Sequence, residues 1–126
     1  MKKSVLVIDD DDDDLLLFRE ALSQINPSHE CFTFSNGSDA LQKLKEQLIK
    51  PHFIFLDLNM PGMRGTECLR EIKKTPFLSE IPVIIWSTST SLRDIEAVYQ
   101  FGASMYVPKP RKFDDLVKKI KQIIVV

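Results

Sequence analysis

Five short runs of strand-forming residues, each followed by a helical pattern, constrain the fold of this chain more than any other feature. Three runs, at 5–8, 53–56 and 83–86, are continuously apolar, and two shorter ones lie at 31–34 and 105–107. Uninterrupted apolar runs are typical of strands that are covered on both faces, as in a parallel sheet. The sequence therefore predicts five strands, most of them buried.

Apolar residues three or four positions apart follow each run and predict five helices. These residues are Leu15, Phe18, Leu22 and Ile25; Leu41, Leu44 and Leu48; Leu69 and Ile72; Leu92, Ile95 and Tyr99; and Leu116, Ile120 and Ile123. Pro27, Pro76 and Gly102 mark the ends of the first, third and fourth helices, and Ser38 is a candidate cap for the second. The predicted order is strand then helix, five times over.

This alternation predicts an α/β fold, because right-handed crossovers place helices on both faces of a parallel sheet. Five units are too few for an eight-stranded barrel, so we expect an open, doubly wound sheet. A chain of 126 residues fits one domain. We expect residues 1–126 to form that domain, with no output domain. Ligands of such sheets bind beyond the carboxyl ends of the strands.

Charge and cysteine content exclude several classes of function. The formal net charge is −1, from 17 basic and 18 acidic residues, so no overall positive field favours nucleic acid or an anionic membrane. Cys31 and Cys68 are too few for a disulfide framework and predict free thiols. No apolar stretch reaches the length of a signal-peptide core or a membrane span. We therefore expect a cytoplasmic protein.

Six consecutive aspartates, residues 9–14, follow the first predicted strand. Asp9 and Asp10 lie where that strand ends, at the ligand-binding edge of the sheet. Asp12, Asp13 and Asp14 are explained as the cap and first turn of the next helix, where acidic side chains complement the helix dipole. Asp9 and Asp10 are therefore the candidate site residues of this run.

Three further strands also end in polar residues. The third ends at Asp57, just before a predicted turn at Pro61 and Gly62, the fourth at Ser87 and the fifth at Lys109. Three carboxylates at one edge imply a cation, and an open carboxylate site suits Mg²⁺ better than zinc. Mg²⁺ and Lys109 would balance these carboxylates and leave a pocket suited to a phosphoryl group, with Asp57 as the best nucleophile.

The whole constellation resembles the receiver domain of two-component response regulators, the family of the chemotaxis protein CheY. The residues that carry the resemblance are Asp9 and Asp10, Asp57 with Met60-Pro61-Gly62, Ser87, and Lys109-Pro110. The resemblance covers essentially the whole chain and implies a flavodoxin-like sheet with strand order 2-1-3-4-5. It implies a phosphorylation-controlled signalling module rather than an enzyme, similar to the stand-alone receivers found beside bacterial phytochromes. Its partner would be a sensor histidine kinase or a phosphotransfer protein.

The resemblance also implies how the acidic residues act. Asp57 would accept the phosphoryl group. Asp10 and Asp57, with the backbone carbonyl of Asn59, would bind Mg²⁺ directly, and Asp9 would hold the metal through water.

Three more residues would respond to the phosphoryl group by the same resemblance. Lys109 would contact it, and Ser87 would be the switch hydroxyl that closes on it. Tyr106, three residues before Lys109, would be the aromatic switch residue whose rotamer responds.

Two other functions stay open from the sequence. A phosphatase of the haloacid dehalogenase type also uses an aspartyl nucleophile on a similar sheet, although many members of that class carry aspartate where this chain has Asn59. A phosphate sink would drain a kinase without any output partner.

The last predicted helix is apolar up to Val125 and Val126. Exposed apolar surface often marks an association site. We therefore expect a homodimer or an output-partner contact through the fourth helix, the fifth strand and the fifth helix.

Overall fold

Five strands alternate with five helices in a computed structural model, which describes residues 2–89 and 91–124. The strands are β1 (Ser4–Ile8), β2 (Glu30–Phe34), β3 (Phe53–Leu56), β4 (Val83–Ser87) and β5 (Met105–Pro108). The helices are α1 (Asp12–Ile25), α2 (Gly37–Lys45), α3 (Gly65–Lys74), α4 (Leu92–Gln100) and α5 (Phe113–Ile124). Strand and helix therefore follow one another as the sequence predicts.

All the strands form one parallel sheet in the order β2-β1-β3-β4-β5, which confirms the predicted doubly wound topology. Ile8 at the end of β1 lies opposite Phe34 of β2 and Leu56 of β3. The residues that follow these strands therefore emerge side by side at one edge of the sheet.

Alternate side chains of the central strands belong to two separate apolar layers, one on each face of the sheet. In β1, Leu6 and Ile8 pack into the layer beneath α2, α3 and α4, whereas Val5 and Val7 pack into the layer beneath α1 and α5. Both layers are buried, because a parallel sheet with helices on both faces exposes neither face to water. This explains why β1 has no polar alternation.

The start and end of α2 differ from the sequence prediction. Asn36, not Ser38, is the cap, because the Asn36 side chain accepts a hydrogen bond of 2.8 Å from the backbone N–H of Asp39. The helix ends at Lys45, so Leu48 lies beyond it and its side chain is 64% exposed. The apolar spacing of Leu48 therefore did not indicate a core position.

The apolar face of α4 was also predicted wrongly. Leu92 is 75% exposed and Tyr99 is 48% exposed, whereas Val98 is the buried residue of this helix. The Tyr99 hydroxyl accepts a hydrogen bond of 3.0 Å from the backbone N–H of Tyr106. Its ring therefore covers the edge of β5 instead of entering the core.

Both histidines lie at the amino-terminal edge of the sheet, away from the strand ends that carry the acidic residues. The Nδ1 atoms of His29 and His52 each accept a backbone N–H hydrogen bond of 2.9 Å, from Lys3 and Ser4 respectively.

Within residues 2–89 and 91–124, no helix has both the length and the apolar character needed to cross a bilayer.

Candidate functional site

The ends of β1 and β3 bring together the three predicted carboxylates. Asp9 follows β1, and Asp57 follows the neighbouring β3, where its backbone N–H donates to the carbonyl of Ile8 at 2.9 Å. Asp9 is 3% exposed and Asp57 is 6% exposed, whereas Asp10 is open to solvent. One oxygen from each of these three carboxylates lies within 4.8 Å of the other two.

Lys109 is the cation that faces this acidic cluster from the loop after β5. Its Nζ lies 2.7 Å from Oδ2 of Asp9 and 3.6 Å from Oδ2 of Asp57, and its side chain is 13% exposed. Burial alone would lower the pKa of Lys109, but hydrogen bonds to Asp14 and Asp9 raise it above its ordinary value. Lys109 is therefore a permanent positive charge at the site.

One lysine does not compensate the acidic charge of the cluster. Burial, and then the negative charge of Asp9, raise the pKa of Asp57 to about 7, although Lys109 acts in the opposite direction. The pKa of Asp9 is also raised, first of all by burial. A hard divalent cation fits this donor set, because it has carboxylate oxygens only and one of them, on Asp10, is open to water ligands.

The loop after Asp57 turns sharply towards α3. The backbone N–H of Asn59 donates to Oδ1 of Asp57 at 3.4 Å, so the loop folds back over the carboxylate. Gly62 has φ +75°, in the left-handed region that glycine adopts without strain. The turn predicted at Pro61 and Gly62 is therefore present, and it leaves Asn59 exposed beside Asp57.

Ser87 lies at the end of β4 and is completely buried. Its hydroxyl oxygen accepts a hydrogen bond of 3.1 Å from the backbone N–H of Ser89, and its carbonyl accepts from the backbone N–H of Lys109 at 2.9 Å. Among the hydrogen bonds of the described residues, none joins the Ser87 hydroxyl to Asp57. The hydroxyl is engaged with its own loop, and the backbone of Ser87 is bonded to that of Lys109.

Tyr106 connects β5 to the loop that follows Ser87. Its side chain is half-buried, and its hydroxyl donates a short hydrogen bond to the carbonyl of Ser89. The Ser89 hydroxyl in turn donates to Oδ2 of Asp94 in α4 at 3.0 Å. Ser89 therefore contacts Ser87, Tyr106 and α4 at once.

Asp12, Asp13 and Asp14 lie in the first turn of α1, as the sequence predicts, but neither the cap residue nor the contact of Asp14 was predicted. The cap of α1 is Asp11, whose Oδ1 accepts from the backbone N–H of Asp13 at 2.9 Å and of Asp14 at 3.3 Å. The Asp14 side chain instead lies 2.9 Å from Nζ of Lys109. The four-residue spacing between Asp14 and the core residue Phe18 was the one available indication, because residues four apart share a helix face.

Gly65, the first residue of α3, is a second position that sequence reasoning missed. A Cβ atom there would lie 2.4 Å from the carbonyl oxygen of Asp57 and 2.7 Å from Cα of Leu58. These are backbone atoms, so a side chain at position 65 would displace the segment that carries Asp57. The sequence shows only a glycine three residues after a Pro-Gly turn, and this pattern does not predict the close approach of α3 to the backbone of Asp57.

Comparisons with known proteins agree with this geometry. Residues 5–121 match the family model of the response regulator receiver domain. The response regulator Rcp1 of Synechocystis sp. is 34% identical over 126 residues, which cover 96% of this chain and 86% of Rcp1.

Two solved structures are also similar to this chain. The phosphorylated cyanobacterial phytochrome response regulator RcpA has a TM-score of 0.90 and 33% identity, and the match covers 98% of this chain and 91% of RcpA. The Mn²⁺-bound form of Rcp1 has a TM-score of 0.85 and 34% identity, with 96% of this chain and 91% of that chain covered.

Proposed function

The chain belongs to the response regulator receiver family, and we propose that Asp57 is the residue that accepts its phosphoryl group. Receiver domains of two-component systems are phosphorylated on an aspartate by histidine kinases, bind a divalent metal ion and act on output partners. The family match gives no support to the phosphatase alternative. The observation that carries the proposal is the position of Asp57, buried at the end of β3 within reach of Asp10 and Lys109.

The contacts of the two buried carboxylates favour Asp57 over Asp9 as the nucleophile. Asp9 is held at both oxygens, since Oδ1 accepts from the backbone N–H of Asp11 at 3.0 Å and Oδ2 pairs with Lys109 at 2.7 Å. The corresponding contacts of Asp57, to Asn59 and Lys109, are 3.4 and 3.6 Å. An Asp57 oxygen is therefore freer to attack phosphorus, forming an acyl phosphate as the bond from phosphorus to the donor breaks, which is a bond to nitrogen in phosphohistidine and to oxygen in acetyl phosphate.

We propose Mg²⁺ as the metal ion of this site. Asp10, Asp57 and the backbone carbonyl of Asn59 would bind it directly, and Asp9 would hold it through water. Carboxylate oxygens that converge within 4.8 Å, with Asp10 open to solvent, support this assignment because Mg²⁺ prefers oxygen ligands and keeps several waters. When bound, the ion would neutralise charge on the phosphoryl oxygens.

The experiment that tests this function is labelling of the protein by acetyl phosphate. We expect an acid-stable, base-labile label in Mg²⁺ and none in EDTA, because the uncompensated carboxylates repel the incoming anion. Labelling at full rate in EDTA would contradict the proposal. We propose that the protein is a signalling module and not an enzyme that turns over a substrate. Steady release of phosphate far faster than the spontaneous hydrolysis of an aspartyl phosphate would contradict this and favour an enzyme.

We propose that Ser87 and Tyr106 report the phosphoryl group and that Lys109 holds it. The Ser87 hydroxyl oxygen accepts a hydrogen bond from the backbone N–H of Ser89, so its own hydrogen is available to donate to a phosphoryl oxygen when the loop moves inward. Tyr106 contacts the carbonyl of the same Ser89. A movement of Ser87 is therefore passed to Tyr106, and through the Ser89 hydroxyl to Asp94 of α4.

Ser87→Ala and Lys109→Ala are expected to accept phosphate but to lose the conformational response. The Ser87 variant should label within about tenfold of the wild-type rate, the effect of one hydrogen bond. The Lys109 variant should be slower, by up to about a hundredfold, because it removes a charge from the transition state. Fluorescence of the single tryptophan, Trp86, measures the response on addition of beryllofluoride, since Trp86 directly precedes Ser87 and is 5% exposed. A wild-type response in the Ser87 variant would contradict this assignment.

We also propose an association surface on α4 and β5. It consists of the exposed apolar residues Leu92, Tyr99 and Met105, to which Tyr106 is linked through its backbone bond to Tyr99. The expectation that the end of α5 is exposed is wrong for Ile123 and Ile124, which are 8% and 1% exposed, and Val125 and Val126 lie outside the described residues. The surface is therefore smaller than the sequence predicts.

Sedimentation with and without beryllofluoride tests this surface. We expect a homodimer that strengthens on addition of beryllofluoride, because the phosphoryl signal reaches α4 through Tyr106. Tyr99→Ala should weaken this dimer, because Tyr99 is one of the exposed residues of the surface. Leu48→Ala is the matched control, since Leu48 is exposed on another part of the molecule. A monomer in both states at every concentration would exclude the dimer and leave an output protein, or a phosphate sink, as the alternatives.

We propose further that residues 1–126 act as one receiver domain in the cytoplasm. The family match over 5–121 supports the single domain. The free thiols of Cys31 and Cys68 support a reducing compartment.

A further inference from the structure

We infer that Asp14 is a positioning residue, which holds Lys109 in the unphosphorylated protein and competes with the phosphoryl group for it. The inference rests on the proposed function, in which Lys109 contacts the phosphoryl group. It assigns a specific role to one of the six consecutive aspartates, which by composition alone are a solvated acidic run.

The contacts of Lys109 are the first support. Its Nζ lies 2.7 Å from Asp9, 2.9 Å from Asp14 and 3.6 Å from Asp57. An ammonium group has three hydrogens to donate. Asp9 and Asp14 lie within hydrogen-bond distance of Nζ and engage two of these hydrogens, whereas Asp57 at 3.6 Å is too far for a hydrogen bond. The pair with Asp14 therefore holds Nζ short of Asp57, and a phosphoryl oxygen on Asp57 competes with Asp14 for the position of Lys109.

Asp14 is the partner of Lys109 that can be released most easily. Asp9 and Asp57 belong to the converging carboxylate cluster, and Asp57 becomes the acceptor itself. Asp14 stands outside that cluster and reaches Lys109 from the first turn of α1, across 95 positions of sequence. Its side chain is 38% exposed, so a released carboxylate can be solvated without a large penalty.

The packing of α1 fixes this geometry. Phe18, one turn after Asp14, is 2% exposed and packs on Phe55 and Trp86 with ring centroids 4.8 and 6.0 Å apart. The same helix face therefore carries Asp14 towards the loop of Lys109. Asp13 belongs to the same helical turn but is exposed, and none of the ion pairs among the described residues involves it.

Asp14→Asn is expected to bind beryllofluoride in Mg²⁺ about tenfold more tightly than the wild type, as measured by titration calorimetry. The variant no longer makes the charge-assisted hydrogen bond to Lys109, and a bond worth about 1.4 kcal/mol corresponds to a tenfold change in affinity. Asp14→Glu, which keeps the charge, should return the affinity towards the wild-type value. Asp13→Asn removes an equal charge and should change the affinity by less than about twofold, the scale of a screened surface charge. Unchanged or weaker binding by Asp14→Asn, or an equal gain in Asp13→Asn, would overturn the inference.

Competition for Lys109 is separated from simple charge repulsion by repeating the comparison in Lys109→Ala. We expect the gain from Asp14→Asn to disappear there, because no ammonium remains to compete for. A full gain in that background would show that Asp14 acts by its charge alone, against the inference.

A double-mutant cycle on protein stability needs no phosphoryl analogue. It distinguishes failure of the inference from failure of the proposed function. Urea unfolding of the wild type, Asp14→Asn, Lys109→Ala and the double variant gives the coupling of the pair in the apo protein. We expect a coupling of at least about threefold in the unfolding equilibrium constant, as for ion pairs in contact. Additive effects would overturn the inference, whereas a wild type that binds no beryllofluoride while the pair is coupled would contradict the proposed function.

Discussion

Asp57→Asn is expected to abolish labelling by acetyl phosphate. The amide that replaces the carboxylate cannot attack phosphorus under these conditions, and neither oxygen of the buried neighbour Asp9 is free to take over. The measurement is the covalent label on the intact protein, followed by mass spectrometry in Mg²⁺. A persistent label on Asp57→Asn would show that another residue is the acceptor.

The stability of Asp57→Asn serves as the control for loss of structure. The pKa of Asp57 is raised to about 7, chiefly by burial and then by the charge of Asp9. A carboxyl whose folded pKa is raised stabilises the protein below its unfolded pKa of about 3.9, and this stabilisation is lost as the pH rises through about 7. In EDTA above pH 7, urea unfolding should therefore find Asp57→Asn at least as stable as the wild type. Asp13→Asn, with the same loss of charge at an exposed position, should label normally.

Gly65→Ala is expected to destabilise the fold and to impair the site together. The added Cβ would meet the carbonyl oxygen of Asp57 at 2.4 Å and the carbonyl oxygen of Leu58 at 2.9 Å. Because both are backbone atoms, either α3 or the loop after β3 has to move. We expect a loss of about 3 kcal/mol in the free energy of unfolding, typical of severe overpacking, and labelling at least about tenfold slower through misplacement of Asp57.

Gly62→Ala separates the effect of space from that of backbone conformation. Gly62 has φ +75°, but a Cβ added there would have no atom within 4 Å, so alanine at this position is strained without a clash. We expect about 1 kcal/mol of destabilisation from the left-handed conformation, with a smaller change in labelling. The explanation for Gly65 would be wrong if Gly65→Ala unfolded at the same urea concentration as the wild type.

Much of the site could be predicted because it depends on local patterns and one rule of topology. Apolar runs indicated the strands, and in a parallel sheet the residues after neighbouring strands meet at one edge. Asp9, Asp10, Asp57 and Lys109 could therefore be placed together from the sequence, and the structure brings them together. Ser87 could be placed at the same edge, but not the hydrogen bond that ties it to Ser89.

The helices were predicted less well where packing overrides spacing. Leu92 and Tyr99 have the spacing of a core face, yet α4 buries Val98 and uses the Tyr99 hydroxyl at the edge of β5. Leu48 continues the apolar period of α2, but the helix ends before it. A periodic pattern identifies a helix face, but the orientation of that face depends on the surface against which the helix packs.

The sequence by itself determined the fold class, the strand ends and the chemical types of the residues at them, because each of these follows from patterns a few residues long. Only the tertiary structure decided that Asp14 contacts Lys109 and that Gly65 lies against the backbone of Asp57. The first contact depends on α1 and α5 packing side by side on one face of the sheet, and the second on how closely α3 approaches the end of β3. Such distances are set by the packing of whole elements, and no local sequence pattern encodes them.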